Sequence, residues 1–464
     1  MTGLRFGGSA RRPGRARAVR ARPHLRRAGL VAAAVLLGTS ACTAQPAGAA
    51  QPKRRAFPGA VGWAAFTPGG RGGAILRVTT LAARGPGSLA EAIATKGPRI
   101  IVFEVGGVID LGCKSVGITR PFVTVAGQTA PSPGITIVRG GVGIATHDVI
   151  VRHVRVRPGE AGRAKRSGWE VDAIATSAGA RDVIVDHCSC TWATDENLSA
   201  SGPRFEGETV EQWRKATSHR ITISNCLIAE GLSRSTHAKG AHSKGSLIHD
   251  NATQIAIVGN LYAHNVRRNP LFKGGARGVV VNNFVYNPGS SAAAYGLVLR
   301  EWGLRKHLAG QMALVGNVLR GGPDTRKGMA LLGVRGTCEV FLEDNLATTR
   351  DGKPMPMLAG KCTRLDAPPL WPEGLKPLPA GRVRKHVLAN AGARPWDRDE
   401  IDRRILREAA TGGGRIIDSE QDVGGYPAPK PTRAKFVPAQ WDLATMTRRE
   451  EKTSRDAGDS GDGR

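Results

Sequence analysis

Seven short apolar segments between residues 149 and 346 repeat one pattern: alternating apolar residues, then a polar amide or imidazole, then another apolar residue. They are Val149-x-Val151-x-His153-Val154, Val183-x-Val185-x-His187-Cys188, Ile221-x-Ile223-x-Asn225-Cys226 and Ala256-x-Val258-x-Asn260-Leu261. Val279-x-Val281-x-Asn283-Phe284, Ala313-x-Val315-x-Asn317-Val318 and Phe341-x-Glu343-x-Asn345-Leu346 complete the set. The polar positions stand 34, 38, 35, 23, 34 and 28 residues apart. Alternation at period two marks half-buried strands. A unit near 23 residues with variable insertions predicts stacked coils, an all-β parallel β-helix. Equivalent positions stack in such a coil, so Asn225, Asn260, Asn283, Asn317 and Asn345 are expected to form a ladder that satisfies backbone groups at a bend. His153 and His187 are assigned the same structural slot.

Length and composition agree. At about 150 residues per domain, 464 residues would allow three domains, but a repeat fold escapes that rule. Gly at 61, Pro at 28 and aromatics at 5% point to many turns and an aliphatic core, away from a helical bundle. A solenoid needs closed ends, because a bare end exposes apolar core and unpaired strand edge. Gly87-Ser88-Leu89-Ala90-Glu91-Ala92-Ile93 supplies a Ser N-cap and a short apolar-faced helix as the N-terminal cap. Val383–Leu388 and Ile401–Ala409 read as helices of a C-terminal extension. The expected organisation is a signal over 1–50, the β-helix over 51–350, the extension over 351–430 and a disordered tail over 431–464.

The first 50 residues hold nine Arg and no acid, and Arg26-Arg27 lead into apolar Ala28–Leu37. That is a secretory signal pattern, too short for a stable membrane span, and small residues follow at Ala47-Gly48-Ala49. Cys42, after Thr39-Ser40-Ala41, leaves a lipid-anchored route open. The expected location is therefore outside the cell, as a monomer. Subtracting the nine Arg from a charge of +29 leaves +20, a surface that concentrates polyanions. Basic residues interleaved with aromatics are not evident, so no nucleic-acid partner is expected. No C-x-x-C zinc pattern occurs, and Cys338 with Cys362 is the expected disulfide.

Chemistry concentrates after the strands. Asp172 lies in Trp169-Glu170-Val171-Asp172-Ala173-Ile174, and Asp195-Glu196 follow Trp192-Ala193-Thr194. Carboxylates after successive strands of a coil can converge on one outer face, the oxygen-rich setting a hard cation prefers. Arg268, in Val266-Arg267-Arg268-Asn269-Pro270, would face that site from a later coil.

These stretches together resemble polysaccharide lyase family 1, the pectate lyase family. The resemblance covers about residues 55–430 and runs in order through Ala56-Phe57-Pro58-Gly59, Gly85-Pro86-Gly87-Ser88-Leu89 and Ala126-Gly127-Gln128-Thr129-Ala130-Pro131. It continues through Val185-Asp186-His187-Cys188-Ser189, Trp192-Ala193-Thr194-Asp195-Glu196 and Arg268-Asn269-Pro270. It implies a single-stranded right-handed parallel β-helix that cleaves polygalacturonate by Ca²⁺-assisted β-elimination. By position it implies Asp172 and Asp195 as calcium ligands with Glu196 as helper, and Arg268 as the base at C5 of the uronate. Lys239, His242 and Lys273 are the implied substrate contacts. Leu271 and Lys273 depart from a more basic family motif, and Ser199 stands where many members have another acidic ligand. Two readings compete with the lyase. A glycoside hydrolase needs two carboxylates about 5–9.5 Å apart across the bond, and the +20 surface alone would serve a non-catalytic polyanion-binding β-helix.

Overall fold

One turn of the coil runs through Arg181–Asp186, Ser189–Thr191 and Leu198–Ala200, and the next begins at His219–Ser224. Each strand pairs in parallel with its counterpart one coil on. The computed structural model, which describes residues 54–449, repeats this unit into three sheets of eleven, ten and nine strands. They are called here the first, second and third sheet, in the order the chain visits them. The fold is a right-handed parallel β-helix. The expected signal over 1–50, Cys42 included, and residues 450–464 of the expected tail lie outside the described residues.

The register explains the aliphatic composition. Val125, Val151, Val185, Ile223, Ile257, Val280 and Leu314 stand on one another through seven coils, all buried. Each such side chain contributes about 1.5–3 kcal/mol by leaving water. The alternate residues, expected to face solvent, are buried too. Ile150 and Ile184 lie beneath Phe57, Ala60 and Ala64, and Ala256, Val279 and Ala313 lie beneath Leu375 and Trp63.

The polar ladder exists, with one correction to its membership. Asn260 donates through Nδ2 to Asn283 Oδ1 (2.9 Å), Asn283 to Asn317 (3.0 Å) and Asn317 to Asn345 (3.0 Å). The backbone N–H groups of Cys226, Asn260, Asn283 and Asn317 donate to the amide oxygens one coil on. Ser224 pairs with Val258, so Asn260 stacks on Cys226 and not on Asn225. The slot of Asn225, His187 and His153 is one residue earlier and left-handed, with φ of 50°, 48° and 57°. Gly259 and Gly316 fill that slot in later coils at φ 71° and 65°, a conformation glycine adopts without penalty. The single left-handed residue breaks the alternation, which is why the linear pattern slips by one.

Helix α1 (Leu89–Ala94) caps the N-terminal end, with Ser88 Oγ accepting from the Glu91 N–H (3.2 Å). Helix α2 (Val210–Ala216) and the short α3 (Leu299–Trp302) sit in insertions between coils. Helices α4 (Ala380–Asn390) and α5 (Glu400–Thr411) cover the second sheet, packing Val383, Val387, Ile405 and Ala409 on Leu227, Leu261 and Phe284. A buried ion network fixes α5: Arg157 donates to Asp399 (2.6 Å) and Asp402 (2.8 Å), and Ser189 donates to Asp402 (2.6 Å). Every charge in it has a partner, which is what makes burying it tolerable.

Three sequence expectations differ from the structure here. Coil strands continue past residue 350, to Leu358–Ala359 and Thr363–Arg364. Residues 431–449 are ordered within the fold rather than a disordered tail. Thr432–Arg433 pairs antiparallel with Val105–Gly106 of the second sheet, and Trp441–Asp442 pairs with Thr447–Arg448. Phe436 and Met446 supply the apolar anchors that hold this segment, buried against Ile100, Val102 and Ala126. Cys338 and Cys362 are free thiols, although pairing of Glu339 with Thr363 brings their strands together.

Candidate active site

The bend from the second to the third sheet carries the expected residues. Asp172 precedes Ile174–Thr176, Asp195 and Glu196 precede Leu198–Ala200, and Arg268 precedes Leu271–Lys273. Parallel pairing of Ile174 with Leu198 stacks the first two coils, and Glu196 donates its N–H to Asp172 Oδ1 (2.9 Å). Bridges from Glu196 to Lys244 and from Lys244 to Arg267 continue the column through two further coils. The stacked column is thus Asp172, Glu196, Lys244 and Arg267, with Asp195 and Arg268 beside it.

The carboxylates of Asp172, Asp195 and Glu196 each place an oxygen within 4.8 Å of the others. Burial and the neighbouring Asp195 hold the Asp172 carboxyl well above its ordinary range, against the opposing pull of Arg268 and Ser199. Burial raises Asp195 as well, but His242, His237 and Arg268 outweigh it and its carboxyl is lowered. Like charges at this distance resist joint ionisation unless a cation joins them. An all-oxygen set of this kind fits a hard divalent cation. Asp172, Asp195 and Glu196 are the residues that would hold it.

Arg268 lies across the cluster and forms an ion pair with Glu196. Its backbone is left-handed at φ 66°, and its carbonyl accepts from the Ser246 N–H (2.6 Å). Gly245 lies so close that a Cβ there would come 2.4 Å from that carbonyl, so glycine is required. Burial lowers the Arg268 guanidinium, and Asp195 and Asp172 raise it.

The expected substrate contacts divide. Lys239 is exposed on the loop between the second and third sheets. His242 is buried, and its Nε2 donates to Asp195 Oδ1 (2.7 Å). The Lys273 amine is engaged by Glu301 and by Asp250 (3.3 Å). Two residues not singled out from sequence complete the bend. His237 stacks on His242 with ring centres 3.6 Å apart, and its Nδ1 lies 3.2 Å from Glu170. Lys244 is 1% exposed and donates to the His242 carbonyl (3.0 Å), with its amine lowered to about 7 by burial and by Arg267. The signal for Lys244 is its place before Leu247–Ile248, but a two-residue strand is too short to read by alternation.

No family profile matches the chain. Among curated proteins it is similar to "probable pectate lyase C" of Aspergillus terreus, 32% identical over 386 residues that span 80% of this chain and 81% of that one. The chain belongs to the pectate lyase family. Its place among these polysaccharide lyases is supported again by "probable pectate lyase C" of Emericella nidulans, 31% identical over 383 residues and 80% of each chain. Solved pectate lyase folds agree at the level of architecture. A Bacillus subtilis pectate lyase superposes at a TM-score of 0.51 with 15% identity, covering 72% of this chain and 96% of its own. The major allergen from cedar pollen gives 0.50 and 15%, covering 72% of this chain and 92% of its own. This pectate lyase family member therefore carries its acid and arginine cluster on a fold those structures share.

Proposed function

We propose that this protein cleaves α-1,4-polygalacturonate, or a related uronate polymer, by calcium-assisted β-elimination outside the cell. The observation that carries this reading is the meeting of the mutually repelling Asp172 and Asp195 with the half-buried Arg268 at one bend. Bound Ca²⁺ supplies charge neutralisation to the uronate carboxylate, which makes the adjacent C5 proton more acidic. Asp172, Asp195 and Glu196 would hold the ion, and His242 orients Asp195 through their hydrogen bond. His242 thus acts on the ligand set rather than on the sugar. Exposed Lys239 meets a neighbouring uronate carboxylate at the rim, while Lys273 stays committed to Asp250 and Glu301.

Arg268 takes the C5 proton. The C–H electron pair becomes the C4–C5 double bond, and the C4–O4 bond breaks as O4 gains a proton from water. An ordinary guanidinium is a poor base because it stays protonated. Burial pushes Arg268 toward the neutral form against Asp195, Asp172 and Glu301, and a cation held by Asp195 and Asp172 would offset the charge of those two. The Arg-rich leader supports export, and no helix among the described residues is long and apolar enough to cross a membrane.

One observation favours a second reading. Two adjacent carboxyl groups held apart in acidity, Asp172 high and Asp195 low, are also what an acid-catalysed hydrolase uses. Product absorbance near about 235 nm separates the two, because only elimination conjugates a new double bond with the carboxylate. With polygalacturonate and Ca²⁺ the absorbance should rise, and a chelator should stop it. New reducing ends without absorbance would replace the lyase reading with hydrolysis.

A further inference from the structure

We infer that the protein has a second binding site for acidic oligosaccharide, at the bend from the first to the second sheet. The uronate identity of the ligand rests on the function proposed above. The acid and arginine cluster belongs to the other bend, so the two sites use different edges of the coil.

A cavity of about 690 Å³ opens there. Ligand sites for small molecules occupy about 300–1,000 Å³, with a mostly apolar wall and a few convergent polar groups. Its floor is formed by the bend residues at 128–131 and 152–153, and its walls by Arg394, Trp396 and the returning segment at 434–448. Four cations line it: Arg152, Arg394, Lys435 and Arg448. Arg152 is balanced by Asp186 (3.0 Å), and Arg394 by Asp397 (2.7 Å). Lys435 and Arg448 are exposed and have no ion-pair partner among the described residues. Among the described residues the cavity therefore presents two cations without a salt bridge, and Lys435 also helps to lower the nearby Glu104 carboxyl.

Trp396 is 62% exposed, while the turn that bears it is rigidly held. The Arg394 side chain is buried and donates to the carbonyls of Ala130 (2.8 Å) and Gln128 (3.2 Å). His153 packs beside the Trp396 ring at 4.9 Å. Phe436 and Trp441 stack on each other at 6.0 Å, and Trp396, with the Arg394 guanidinium 5.5 Å over its ring, is the most exposed aromatic of the wall. A flat aromatic beside unpaired cations suits a sugar whose C–H face packs on the ring while its carboxylates meet Lys435 and Arg448. Single-stranded nucleic acid would call for several platforms for successive bases. A chain held here is kept near the cleaving bend, which raises its effective concentration there.

The test is titration of trigalacturonate into the full-length protein with chelator present, followed by tryptophan fluorescence. Wild type should bind, and Trp396→Ala and Lys435→Glu should each weaken binding by about tenfold, while neutral maltotriose does not bind. Both positions are exposed, and matching thermal unfolding midpoints verify that each variant folds. Elimination turnover on the trimer should be unchanged in both variants, with KM for long polymer raised. Binding that is equal in wild type and both variants would overturn the site, even with elimination fully active. Tighter binding of a short oligothymidylate or of maltotriose would overturn the uronate assignment. Trp396-dependent uronate binding without any elimination would uphold the site and sink only the proposed reaction.

Discussion

At one bend of the coil, Asn260, Asn283 and Asn317 each donate to the next amide, and Asn345 ends the column by donating to Leu314 O. At another, Asp172, Asp195 and Glu196 crowd like charges together, with Arg268 paired to Glu196. The first column is closed, because every donor finds an acceptor one coil away. The second is open: burial and Asp195 hold the Asp172 carboxyl well above the usual carboxylate range, so it is a weaker acid than usual, and its carboxylate neighbours offer no relief. Both bends are polar and partly buried, so burial does not separate structure from function here. What separates them is whether the polar groups satisfy one another or need something from outside.

The comparison can be broken first at the open bend. Arg268→Ala should lower elimination by about 1,000-fold, while the thermal midpoint stays close to that of wild type. A variant that unfolds instead would make the cluster structural. At the closed bend the expectation reverses. Asn283→Leu removes donors to Ile257 O (2.9 Å), Val281 O (3.1 Å) and Asn317, and an acceptor for Asn260. It should cost about 3 kcal/mol in denaturant unfolding and leave the turnover of the folded fraction unchanged. The smallest effect sharpens the ladder's definition. The Cys226 thiol donates to Ser224 O (3.2 Å) and Val185 O (3.5 Å), the carbonyls that match those used by Asn283. Cys226→Asn should therefore change stability by less than about 1 kcal/mol. A loss several times larger would show that the column is not one ladder.

What was legible in the sequence follows the same division. The Asn repeat announced a coil because each member is held by its like, so the same residue returns at each turn. The register slipped at His153, His187 and Asn225 because one left-handed residue per coil interrupts the alternation on which linear reading depends. Asp172, Asp195, Glu196 and Arg268 were legible through family resemblance, and the coil does bring them together. Lys244 and His237 were not, because a long insertion and a two-residue strand hide their place in the column. The segment at 431–449 was expected to be part of a disordered tail, yet Phe436 and Met446 anchor it to the first sheet.

The measurement that tests the central claim most directly is thermal unfolding of wild type and Asp172→Asn, with and without Ca²⁺, across pH. The Asp172 carboxyl is raised in the folded state, so its ionised form costs stability above its unfolded value. Metal-free wild type should lose stability from this group as pH rises through the folded value, and Ca²⁺ should restore it. Asp172→Asn should be more stable than metal-free wild type at neutral pH, by about 0.5–2 kcal/mol, and should lose the calcium response. A less stable Asp172→Asn with an undiminished calcium response would show that the open bend is not the cation site.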